Sequence, residues 1–206
     1  MLFRSRMRST HRLLFALAAL LASAPWQEAR ACACCTSPGA RTDLVVKLES
    51  GHADELNRLR FGPQAELFLG EADPESVKGI TTPAEKYDLQ AAWKGDRFLF
   101  AFRDEKDRSG TLVLTRPKTI SVFHVDPRNQ LDRPRAPVLY KEWRLTSPAA
   151  GTGIFTVGLG TGQSLTLVLQ GGGNNCTSAN DFTHWMLVMW GPKAKYHFFG
   201  NLAMTR

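Results

Sequence analysis

The chain has 206 residues, with 26 lysines and arginines, 19 acidic residues and a formal net charge of +7. Five arginines and Glu28 fall within residues 1–31, so the rest of the chain carries 21 bases and 18 acids. That near balance gives no basis for a nucleic-acid partner, and the length is that of one domain with room for an ample core.

Arg4, Arg6, Arg8 and Arg12 precede an apolar run from Leu13 to Ala24 that only Ser23 interrupts. This is the basic region and short apolar region of a cleavable secretory signal peptide. The run is about twelve residues, well short of the roughly twenty that span a bilayer. No later run is long enough, so no transmembrane segment is expected after cleavage. Ala22-Ser23-Ala24 would leave Pro25 first, a poor peptidase site. Ala29-Arg30-Ala31 leaves Cys32 first and is preferred. The charged Arg30 also fits badly with lipid attachment at Cys32. The expected organisation is a signal peptide over 1–31, an N-terminal arm and first elements over 32–63, and a β-domain over 64–206. The expected location is periplasmic or secreted.

Residues 32–43 read as an extended arm. His52 to Arg60 reads as a short helix, with Leu56 and Leu59 three apart and Asp54 and Glu55 in a first turn that favours acids. Strand patterns begin near residue 64. Tyr87, Leu89, Ala91 and Trp93 alternate with polar residues, Lys94-Gly95-Asp96 turns the chain, and Phe98, Phe100 and Phe102 share a face, which is a hairpin signal. Leu112 and Leu114 follow, then Ile120, Val122 and His124. Further strands are expected at Val138 to Leu145, Gly153 to Val157, Ser164 to Leu169, Thr183 to Trp190 and Lys195 to Leu202. Residues 127–137, with three prolines and three arginines, read as a loop. Many short strands with regular turns point to a single antiparallel all-β domain, barrel-like or a sandwich.

Cys32, Cys34 and Cys35 crowd the expected mature terminus, and Cys176 lies far along the chain. Export favours disulfides. Four cysteines allow three pairings, and a Cys34–Cys35 bridge would strain its peptide, so the arm is expected to be tied to the Cys176 loop. The alternative is a thiolate site for copper(I) or zinc, with His184 able to complete the shell, although the spacing matches no well-marked zinc pattern. Cys32 to Cys35 also spans a Cys-x-x-Cys, but on an arm rather than at a helix start.

The densest polar segment is Asn174-Asn175-Cys176-Thr177-Ser178 to Asp181 and His184-Trp185. Such a loop at a sheet end is where binding groups collect, which makes Asn174, Asn175, Asp181, His184 and Trp185 binding candidates. His124 and Asp126, two apart on one strand, form a candidate polar pair. Tyr140, Glu142 and Arg144 alternate with Lys141 and Trp143 and read as a charged, solvated sheet face. The tryptophans read as core. Gly171 to Gly173 read as a tight or left-handed turn. Gly151 to Gly162 lacks the ending of a phosphate loop, and no hydrolase nucleophile motif is present.

The runs Leu139-Tyr140-Lys141-Glu142-Trp143-Arg144-Leu145, Leu169 to Thr177 and Phe182-Thr183-His184-Trp185, with Cys32-Ala33-Cys34-Cys35, resemble a group of exported bacterial proteins of unknown function. The resemblance covers most of the chain after the signal and implies a periplasmic setting but no activity or ligand. The expected function is a non-catalytic binding or interaction module for a small molecule or protein, without a cofactor. The alternatives are a copper(I) or zinc protein using the cysteines, and an enzyme using His124, Asp126 or His184 in one pocket.

Overall fold

The computed structural model describes residues 39–126, 139–173 and 178–203, all within a compact unit, Ala33–Arg206. Cys32, Cys34, Cys35, Cys176, Asn174 and Asn175 lie outside the described residues. The described chain is all-β with one α-helix. The strands are β1 (Arg41–Lys47), β2 (Gln64–Leu67), β3 (Lys86–Lys94), β4 (Arg97–Arg103), β5 (Ser109–Thr115), β6 (Thr119–Val125), β7 (Leu139–Pro148), β8 (Ala150–Gly153), β9 (Ser164–Gly173), β10 (Phe182–Trp190) and β11 (Lys195–Asn201). The helix is α1 (Ser50–Arg58).

The strands form one antiparallel sheet in the order β1-β6-β7-β9-β10-β11-β2-β3-β4-β5-β8. The sheet is not a closed barrel; β1 and β8 are its edges. It curls because β7 runs almost directly into β8. β7 pairs with β6 and β9, third from the β1 edge, and beyond Ala149 the same run pairs with β5 at the far edge. At the crossover, the Thr115 N–H donates to Ser147 Oγ at 3.2 Å. The result is sandwich-like, with one apolar face turned inward.

That inner face follows from the period-2 patterns. Tyr87, Leu89, Phe98, Phe100, Phe102, Leu112, Leu114, Ile120, Leu165, Leu167 and Leu187 are all buried. Lys94 opposes Arg97 across a two-residue loop, and Gly95 there has φ of 63°. A positive φ at the first loop residue but not at the second, Asp96, is the type II′ pattern, whose twist suits a hairpin.

Several expectations are corrected. Residues 41–43, expected to end an extended arm, belong instead to edge strand β1, which pairs with β6 in seven-residue register. The isolated bridge between Phe61 and Leu202 likewise joins residues before 64 to the β-domain. The helix starts two residues before the expected His52, which moves Asp54 and Glu55 out of its first turn. Gly153 to Val157 is not a strand: β8 ends at Gly153 and a 3-10 turn covers Thr156–Gly158. Trp143 and Trp185 are core, whereas Trp190 is exposed, with the Lys195 ammonium 4.4 Å from its ring centre.

Candidate functional site

The described polar groups concentrate where β6, β7, β9 and the start of β10 meet. β7 puts its residues alternately on two faces, and each face builds a different half of the site.

On the inner face stands Lys141, whose side chain is only 1% exposed. It is not on a solvated face, as its alternation with polar residues suggested. Its Nζ donates to Asp181 Oδ2 at 2.7 Å and to the Ser178 carbonyl at 2.8 Å, and lies 5.1 Å from the centre of the Phe182 ring. A buried ammonium is tolerated only with such partners. Burial draws the Lys141 pKa below its ordinary 10.5, against the opposing pull of Asp181 and Glu55.

Two glycines make room for this pair. Gly171 and Gly173 belong to β9, not to a turn, and neither has a left-handed φ. A Cβ on Gly171 would overlap the Asp181 carbonyl oxygen, and one on Gly173 would overlap the Asp181 carboxylate. Their service is the empty space of a missing side chain. Helix α1 holds the same turn from another side. Glu55 Oε2 accepts the Ala179 N–H at 2.8 Å, while Arg58 NH1 donates to Glu55 Oε1 at 2.8 Å. The 3-10 turn Ala179–Asp181 is thus fixed to β7 and α1 together.

His124 lies opposite Lys141 in the β6–β7 register. It is buried, and among the described residues neither ring nitrogen has a hydrogen-bond partner. Asp126 is fully buried, and its backbone ties to the residues before β1: its carbonyl accepts from Gly39 and its N–H donates to Ala40. His124 and Asp126 therefore do not form a hydrogen-bonded acid–base pair.

On the outer face, Glu142 organises a second network. Its Oε1 accepts from Tyr140 Oη and, at 3.1 Å, from Gln170 Nε2; its Oε2 accepts from Arg144 Nε at 2.9 Å. Gln170 Nε2 also donates to Tyr140 Oη at 3.0 Å. Burial alone would raise the Glu142 pKa, but the hydrogen bonds from Tyr140, Gln170 and Arg144 outweigh it and hold the carboxyl below its ordinary 4.5. Tyr140 is pushed up to about 12 by burial and by its bond to that carboxylate, so its phenol remains a donor near neutrality.

Beside this network an open groove of about 390 Å³ runs between the ends of β7, β9 and β10, lined by Leu139, Tyr140, Gln170, Gly172, Thr183 and His184. His184 is exposed, with Nδ1 2.8 Å from Thr183 Oγ1. A second depression of about 400 Å³ lies between Phe68, Val77 and Lys193, but no comparable hydrogen-bonded network orders its walls.

The sequence candidates therefore separate. Asp181 belongs to the interior ion pair and His184 to the groove. Trp185 does not present itself for binding; it is buried in the core, because the register shift between Phe182 and His184 puts His184 outside and Trp185 inside. His124 and His184 lie on opposite faces of the sheet and do not converge. Lys141, Glu142, Tyr140 and Gln170 are the residues that sequence reasoning missed. Among the described residues, no three His, Cys, Asp or Glu side chains form a metal-binding group, and no helix is long and apolar enough to cross a membrane.

No protein-family model matches this chain, and neither a curated protein nor a solved structure matches it.

Proposed function

We propose that this is an exported binding module, without catalysis of its own, whose ligand sits in the groove between Tyr140, Gln170, Gly172 and His184. The observation that carries this reading is the order already present in the groove walls. Tyr140 and Gln170 are locked to Glu142 and Arg144 before any ligand arrives, and the turn leading to His184 is pinned through Asp181 to buried Lys141. Groups held in place beforehand lose little freedom on binding.

The groove volume falls in the range of small-molecule sites. Its chemistry combines the Tyr140 ring, a glycine-lined backbone, and the exposed imidazole and hydroxyl of His184 and Thr183. That suits a small ligand, or a short segment of a protein, that offers a flat apolar part and one or two hydrogen-bonding groups. Export rests on the basic and apolar pattern of residues 1–24.

A thermal-shift screen of small molecules and short peptides against the purified protein tests the proposal. Hits that stabilise the protein, that are recovered unchanged, and whose effect is lost in His184→Ala support it. Chemical conversion of a bound hit would overturn it, as would hits indifferent to both His184→Ala and Gln170→Ala.

A further inference from the structure

The outer edge of β1 carries apolar side chains that an isolated edge strand ordinarily avoids. Val45 is 71% exposed and Leu44 54%, and the edge has no strand partner among the described residues. Such an edge is a template for another strand.

The hydrogen-bonding phase of β1 shows which groups are on offer. The Leu48 N–H donates to the Lys118 carbonyl and the Asp126 N–H to the Ala40 carbonyl, so even-numbered residues spend their backbone groups on β6. In an antiparallel ladder the phase alternates. Arg41, Asp43, Val45 and Lys47 therefore turn their N–H and C=O groups toward the open edge.

We propose that this edge pairs with the same edge of a second copy, antiparallel, about a two-fold axis at Val45. The charges select the register. With Val45 opposite itself, Asp43 faces Lys47 of the second copy and Arg41 faces Glu49, and each pair occurs twice by symmetry. On the inner face Leu44 then meets Val46. Moving the axis to Leu44 puts Arg41 opposite Lys47, and moving it to Asp43 puts two aspartates together. Like charges directly opposite are destabilising. Among these three neighbouring registers, only the one centred on Val45 opposes opposite charges throughout. The occupant is a second copy rather than another protein because the strand is complementary to itself.

Sedimentation equilibrium over a wide concentration range tests this with four proteins: the parent, Asp43→Lys, Lys47→Asp, and the two changes combined. All these positions are exposed, and circular dichroism checks that each variant is folded. The parent should show a reversible monomer–dimer equilibrium. Each single change sets like charges opposite each other twice and should weaken the dimer about tenfold or more. The double change exchanges the partners and should restore the parent's affinity. A parent that stays monomeric, a dimer indifferent to the single changes, or a double variant as weak as the singles would each overturn the proposal.

Discussion

Lys141 and Asp181, forty positions apart, meet at 2.7 Å beneath the sheet. This contact joins the start of β7 to the turn that launches β10. The groove proposed as the binding site lies on the other side of the same strands, so an interior ion pair sets the shape of an exterior surface.

Asp181→Asn should destabilise the protein by about 2–3 kcal/mol, measured by urea unfolding at neutral pH. Removing one partner of a fully buried pair costs about 3–5 kcal/mol, but the Asp181 side chain is 26% exposed, which lowers the cost. Lys141→Met keeps the length of the side chain and removes the charge with its desolvation. Its cost should be the smaller of the two.

Gly171→Ala should destabilise by about 1–3 kcal/mol, the range for forcing an extra carbon into packed structure. The added methyl would collide with the backbone of Asp181. Because β9 is extended there, the loss would come from packing rather than from backbone strain. A Gly171→Ala protein as stable as the parent would contradict the close approach of β9 and the turn.

Stability should fall in acid as the Glu142 network is protonated. The folded carboxyl titrates below its ordinary 4.5, so the folded state resists protonation more than the unfolded chain does. Its contribution is complete above that ordinary value and is lost as the pH drops through the folded value. Glu142→Gln should therefore be less stable than the parent at pH 7 by about 1–2 kcal/mol, the cost of a lost charge-assisted hydrogen bond. The gap should narrow steadily as both are titrated into acid. A gap that stays constant would mean that the carboxylate charge is not what holds the network.

His184→Ala should change stability by no more than about 0.5 kcal/mol, as for exposed positions away from special features. Its effect should appear in ligand binding alone. Asp181→Asn, which leaves every groove side chain in place, should weaken the same ligand as well. That joint result separates a coupled surface from an independent one.

Much of the scaffold was legible from the sequence because alternation reports burial directly. The β3–β4 hairpin, with Phe98, Phe100 and Phe102 inward, and the β10–β11 pair follow from period-2 runs and a single well-placed glycine. β1 was obscured because both faces of an edge strand can remain exposed, so its pattern breaks at Leu44 and Val45. The site was less legible, for two reasons. A lysine in an alternating charged run ordinarily points to water, and the burial of Lys141 depends on Asp181 and two glycines far along the chain. The three glycines, in turn, allow a turn by composition; only their pairing with Leu139, Tyr140 and Lys141 makes them a strand. A usable signal was present all the same: glycines at alternate positions, 171 and 173, clear space on one face of a strand.

The most direct test of the binding proposal is residue-resolved NMR of the protein titrated with the best hit from the screen. The expected result is a saturable set of shift changes centred on Tyr140, Gln170, Gly172, Thr183 and His184, with the ligand itself unchanged. Shift changes centred on Phe68, Val77 and Lys193, or conversion of the ligand during the titration, would contradict the proposal.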